Sequence, residues 1–113
     1  PARGIPMLAG SDAGADFAYP GVGLHDELLL LVEAGLTPLQ ALQGATIEPA
    51  RFLGRKDTGW IGVGSVADLV LLDADPLLDI RNTRRIRAVV LDGRWMDRNA
   101  LDSLLRDVGE AAR

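Results

Sequence analysis

The run Ala67-Asp68-Leu69-Val70-Leu71-Leu72-Asp73 constrains the fold of this chain more than any other stretch. It is short, apolar, and bounded by Gly62 and Gly64 on one side and Asp75-Pro76 on the other, so it reads as a buried strand. Ile86 to Leu91 reads as a second strand, and Asp92-Gly93 is a two-residue hairpin turn that leads into Arg94-Trp95-Met96. Three evident strands whose apolar runs ask for cover on both faces make a unit that is incomplete by itself. Gly62-Val63-Gly64-Ser65-Val66-Ala67 matches the loose dinucleotide pattern G-x-G-x-x-A, but that fingerprint needs a preceding strand and a following helix. Here a strand follows, so a turn is expected.

The first half of the chain has a different period. Leu24, Leu28, Leu31 and Val32 recur at helical spacing, and Gly35 stands where a glycine ends a helix, which predicts a helix from about Leu24 to Ala34. Thr37-Pro38-Leu39-Gln40 is a helix start: Thr37 caps, Pro38 fits the first helical position, and Gln40 completes a capping box. That helix is expected to reach about Gln43, before Gly44. Thr46 is expected to cap another, running through Ala50 and Phe52 to Gly54, with Pro49 tolerated in its first turn. Leu77 to Asn82 reads as a loop or a single turn. Near the C-terminus Asn99 is placed to cap a helix with Leu101, Leu104, Leu105 and Val108 on one stripe. The boundary between the two parts is expected near Asp57 to Gly64.

One acidic residue stands out before these helices. Gly4-Ile5-Pro6-Met7-Leu8-Ala9-Gly10-Ser11-Asp12-Ala13-Gly14 is a short apolar run that stops in small, turn-forming residues, the pattern of a strand handing over to a loop. In α/β proteins the loops at the carboxyl ends of parallel strands carry the chemistry. Asp12 offers a hard oxygen ligand for a divalent cation and a base for an attacking water. An Asx-turn, in which the carboxylate only hydrogen-bonds its own loop, is the alternative. The Gly-rich segment Ala15 to Gly23, with its Pro20-Gly21 turn signal, is long enough to cover a site.

Composition narrows the function classes. The chain has 113 residues, enough for a usable core, and no cysteine, which excludes disulfides, thiolate zinc sites and a cysteine nucleophile. A net charge of −4 gives no support to nucleic-acid binding. Arg81, Arg84, Arg85 and Arg87 cluster, but acidic residues flank them and no aromatic platform interleaves, so local ion pairs are expected. No apolar run approaches the roughly 20 residues needed to cross a bilayer, which makes a cytoplasmic location the default expectation. The opening Pro1 fits either removal of an initiator methionine or a start inside a longer protein.

Gly10-Ser11-Asp12-Ala13-Gly14, Leu24-His25-Asp26-Glu27-Leu28, Ala34-Gly35-Leu36-Thr37-Pro38-Leu39-Gln40-Ala41-Leu42 and Ala45-Thr46-Ile47-Glu48-Pro49-Ala50 resemble the C-terminal part of the amidohydrolase superfamily. Gly62 to Asp73, followed by Pro76-Leu77 and Asp79-Ile80, continues the resemblance. Imidazolonepropionase-like and Xaa-Pro dipeptidase-like hydrolases are the most similar in pattern. The resemblance implies an α/β fold: residues 1–56 as the last strand and helices of a (β/α)₈ barrel, and residues 57–113 as part of a small β-sandwich with a terminal helix. It also implies a metal-dependent hydrolase of amide, dipeptide-like or cyclic C–N substrates, with zinc as the expected metal.

Asp12 then matches the Asp at the end of the last barrel strand, which in the family binds metal and accepts a proton. His25 matches a His at the start of the following helix. As a lone His it reads as an orienting or helix-start residue, and with Ser11 it is a candidate for supporting contacts behind Asp12. Ser65 stands where many relatives carry Lys. A complete member would also supply a His-x-His pair, a bridging carboxylated Lys or Glu, and two further His. This chain has one His, and its single Lys, Lys56, follows the short helices. With one convincing ligand where zinc takes at least three, the chain alone is expected to be inactive. The competing expectation is a non-catalytic module that covers its strands by homo-oligomerising. A third, ranked last, is that a partner chain supplies the ligands.

Overall fold

The structure, a computed structural model, describes residues 5–14 and 20–111. Helix α1 (Val22–Glu33) is the anchor of the first half. It begins two residues before the expected start and ends as its sequence demands. Gly35 takes φ +103°, and the amides of Leu36 and Gly35 donate to the carbonyls of Leu31 (3.1 Å) and Val32 (2.9 Å), a Schellman ending. Two residues on, the capping box forms as expected: Gln40 N donates to Thr37 Oγ1 (3.2 Å) and Thr37 N to Gln40 Oε1 (2.9 Å). Helix α2 (Pro38–Ala45) follows, then α3 (Ile47–Phe52).

Two local expectations are corrected here. Gly44 does not stop α2; it lies inside the helix and is buried. A Cβ at Gly44 would stand 2.6 Å from the carbonyl oxygen of Met7, and its own carbonyl accepts from Ala9 N at 2.9 Å. The missing side chain serves a close approach between α2 and the N-terminal segment. Nor does the Thr46 side chain cap α3. Its hydroxyl donates back to the Leu42 carbonyl at 2.8 Å, closing α2 instead.

The expected strand before Asp12 is not formed as a strand: residues 5–12 carry no sheet assignment. A strand is defined by a hydrogen-bonded neighbour, and among the described residues this segment meets helix α2 through Ala9 and Gly44.

In the second half β1 (Leu69–Leu72), β2 (Ile86–Leu91) and β3 (Arg94–Met96) form a three-stranded antiparallel sheet in the order β1-β2-β3. Leu69 pairs with Val90 and Val90 with Trp95; a bulge between Leu71 and Leu72 breaks the β1–β2 register. The hairpin turn is as expected, with Asp92 at φ +48° and Gly93 at φ +78°, both left-handed as a type I′ turn requires. The Gly62 to Ser65 segment is a turn, closed by Ser65 N to Gly62 O at 3.2 Å.

The expected burial of the first strand is not met: Leu69, Val70 and Leu71 are exposed, Val70 at 56%. Ala88 on β2 is buried and Leu72 at the end of β1 is half-buried, but Leu69 to Leu71 stay open to solvent. Helix α4 (Arg98–Ala111) packs on β2 and β3. Its cap is Asp97 rather than Asn99, since the Asp97 carboxylate accepts from Ala100 N at 2.9 Å. That places Asn99 in the first turn. On its apolar stripe Leu104, Leu105 and Val108 are exposed.

Between β1 and β2 the chain forms a 3₁₀ helix, Ile80–Arg84, where a loop or single turn was expected. Asp79 caps it, accepting from Arg81 N at 2.9 Å. Ile80 (3% exposed) is buried with Leu28, Leu31 and Ala41, so the main hydrophobic cluster joins residues from both halves of the chain.

Candidate functional site

Asp12 sits where the N-terminal segment ends. Its backbone is left-handed (φ +48°), a conformation that Asp tolerates better than most residues, and its side chain is exposed. Space around it is open. A Cβ built on Gly10 or on Gly14 (φ +112°) would meet no atom within 4 Å. The site is therefore an accessible carboxylate among small residues, held from two directions. Ala9 is tied to α2 through Gly44, and Ser11 lies against α1, since a Cβ on Gly23 would stand 3.3 Å from Ser11 Cβ. Residues 15–19 of the expected covering loop lie outside the described residues; the remainder is Pro20 and Gly21 followed by the first turn of α1.

Ser11 thus neighbours α1 directly. His25 is two residues beyond Gly23, about 200° around the helix, so it faces another way. Its Nδ1 lies 3.0 Å from Thr83 Oγ1, which is buried (6% exposed) on the 3₁₀ helix. The Thr83 hydroxyl donates its own hydrogen to the Ile80 carbonyl at 2.9 Å, so its lone pair accepts from His25 Nδ1–H. In the neutral ring the proton is on Nδ1. Burial, and then the neighbouring Arg84 guanidinium, hold the His25 pKa below the ordinary value, partly opposed by Asp26. Asp26 in turn pairs with Arg84. Ser11 and His25, both named beside Asp12 from sequence, therefore occupy different faces of α1.

Three of the four arginines in the cluster are engaged in ion pairs, as expected, and Arg85 has none among the described residues. Arg81 pairs with Asp79 (2.7 Å), Arg84 with Asp26, and Arg87 with Asp73 (2.5 Å). Hydrogen bonding from Arg81 holds the Asp79 carboxyl below its usual range, and Arg55 does the same for Asp57. Among the described residues no three His, Cys, Asp or Glu side chains gather as a metal site. Sequence reasoning missed Thr83, Gly23 and Gly44.

The amidohydrolase family model matches residues 1–96, which include Asp12, α1 to α3 and the whole sheet. The chain belongs to the amidohydrolase family. Adenine deaminase 2 of Rhizobium meliloti (strain 1021) is 40% identical over 87 residues, covering 77% of this chain and 14% of that protein. An imidazolonepropionase of Ectopseudomonas mendocina (strain ymp) is 41% identical over 70 residues, 62% of this chain and 17% of the relative. The crystal structure of a Xaa-Pro dipeptidase with bound methionine in the active site superposes with a TM-score of 0.74 at 32% identity, covering 83% of this chain and 23% of that one. This amidohydrolase chain therefore has an α/β fold with a small antiparallel sheet and spans less than a quarter of the length of these three relatives. Among the described residues no helix is long and apolar enough to cross a membrane.

Proposed function

We propose that these residues are the C-terminal portion of a metal-dependent amidohydrolase that hydrolyses amide, dipeptide-like or cyclic C–N bonds. Residues 1–56 are assigned to the last barrel strand and its helices. Residues 57–113 are assigned to part of the sandwich and its terminal helix. The observation that carries this proposal is Asp12: an open carboxylate on a left-handed turn, backed by two helices, inside the segment the family model matches.

A divalent ion, for which zinc is our choice, suits a hard carboxylate oxygen. Asp12 fits as one ligand, and with no three-residue cluster among the described residues the remaining ligands must lie elsewhere. When bound, such an ion polarises water and substrate. Asp12 holds a ligand position, takes the proton of the attacking water on its carboxylate, and is kept in place by Ser11 and Ala9 against α1 and α2. The isolated chain is then inactive. A small-molecule substrate, a cytoplasmic setting and a homo-oligomeric state belong to the same proposal.

Asp12→Asn preserves shape and removes the charge and basicity. In the intact protein it is expected to lower turnover by at least about 100-fold, with the melting temperature unchanged. Undiminished hydrolysis would overturn the assignment. A second reading, a non-catalytic module that self-associates, is favoured by the exposed β1 face and the stripe Leu104, Leu105 and Val108. It predicts oligomers of the 113-residue chain that Leu105→Glu dissolves.

A further inference from the structure

Two side chains from consecutive positions on α1 reach the same 3₁₀ helix. His25 donates from Nδ1 to Thr83, and Asp26 pairs with Arg84. Partners 58 positions apart in the sequence are thus clamped by one directional hydrogen bond to a buried hydroxyl and one ion pair. The buried contact gives the register, because Thr83 Oγ1 spends its one hydrogen on the Ile80 carbonyl and meets His25 only as an acceptor. The ion pair is exposed and adds little to stability. On the other side of the same helix turn Gly23 abuts Ser11, the residue before Asp12. Beneath the clamp Ile80 fills the core against Leu28 and Leu31 of α1.

We propose that His25 and Thr83 are positioning residues for Asp12: their hydrogen bond fixes α1 against the 3₁₀ helix, and α1 through Gly23 fixes Ser11 and the turn that carries Asp12. This rests on Asp12 being the functional carboxylate. It gives His25 a role behind α1 instead of among the ligands, and it makes the sheet-bearing half of the chain a contributor to site geometry. Among the described residues the Asp12 segment has few other holds: residues 5–12 have no strand assignment, the Ala9–Gly44 backbone bond ties it to α2, and Ala13 lies in an isolated bridge just past Asp12. A small shift of α1 is therefore passed to the turn. Catalytic groups are sensitive to displacements of about 1 Å, so a lost clamp matters more for function than for folding.

Hydrogen exchange by mass spectrometry on the intact, metal-free protein tests this directly, with the Gly10–Ala13 amides as the readout and the α2 amides as the control. Thr83→Val removes the acceptor, and His25→Gln moves the amide donor to the wrong position. Each is expected to speed exchange at Gly10–Ala13 by about tenfold while α2 stays within about twofold. Thr83→Ser keeps the hydroxyl and His25→Asn keeps a donor at the Nδ1 position, so both are expected to match the native protein. Should Thr83→Val fail to fold, the His25→Gln and His25→Asn pair gives the same contrast. Unchanged exchange at Gly10–Ala13 in Thr83→Val or His25→Gln, or equal acceleration in α2, would overturn the proposal. Zinc content of Asp12→Asn, measured in parallel, separates the two claims. If that variant keeps its full zinc, the ligand role of Asp12 fails whatever the exchange data say. If it loses zinc while exchange is unaffected by Thr83→Val, the positioning role alone fails.

Discussion

The two halves of this chain carry apolar residues of the same kind and treat them differently. In the helical half Leu28, Leu31, Ala41 and Ala50 are buried, although Leu30, Leu39 and Phe52 stay exposed, and α1 and α2 carry their own capping motifs. In the sheet half Leu69, Val70, Leu71, Leu91 and Trp95 remain exposed, although the strands pair in register. A helix satisfies its backbone internally and needs cover for one stripe, which α1, α2 and the 3₁₀ helix give each other. A sheet has two faces, and three strands with one helix cover too little of them. The helical half therefore closes most of its core among its own helices and takes Ile80 from the other half to complete it, whereas the sheet half carries surface suited to a further layer.

Substitutions can break or sharpen that contrast. The largest effect is expected at Ile80, which leaves the sheet half to complete the helical core. Ile80→Ala should cost about 2–5 kcal/mol by denaturant titration, and a loss under 1 kcal/mol would show that the two halves do not share a core. Next comes Gly44→Ala, which drives a methyl to within 2.6 Å of the Met7 carbonyl. Overpacking of this kind costs about 1–3 kcal/mol. A stabilised variant would mean that α2 and the N-terminal segment do not touch. Val70→Ser should change the stability of the 113-residue chain by less than about 0.5 kcal/mol, as for an exposed position. The same change in the intact protein should cost several times more if a further layer covers β1. Equal small effects in both would remove the case for that layer.

The smallest effect is a pH dependence from His25. Its folded pKa lies below the ordinary 6.5, chiefly through burial and then through Arg84, so the unfolded state binds its proton more readily. Stability should rise with pH from the lowered value up to 6.5 and be level above it, as far as this group is concerned. His25→Asn should abolish that part of the slope in denaturant titrations across pH 5 to 8. A stability that falls as pH rises through the same window would contradict the buried, Arg84-facing placement.

Much of the fold was legible because its signals are local. The Thr37-Pro38-Leu39-Gln40 box, the Gly35 ending and the Asp92-Gly93 turn each depend on a few adjacent residues, and each formed as read. Gly44 was misread as a stop signal because its real constraint is the Met7 carbonyl, far away in sequence. Thr46 and Asn99 were plausible caps, but one hydroxyl was taken by the Leu42 carbonyl and Asp97 stood two positions ahead of the other. The burial of β1 was misjudged because an apolar run reports what a strand is suited to, not what covers it. Asp12 is expected from its small neighbours and the resemblance, and the structure gives it an exposed carboxylate on a left-handed turn; the Thr83 partner of His25, 58 positions away, leaves no spacing to read.

The most direct measurement is the intact mass, under denaturing conditions, of the native polypeptide that contains this segment. A mass several times the 12.0 kDa of these 113 residues is the predicted result, and that longer protein is then the one on which activity and zinc content are measured. A native mass of 12.0 kDa would contradict the account and leave the self-associating module in its place.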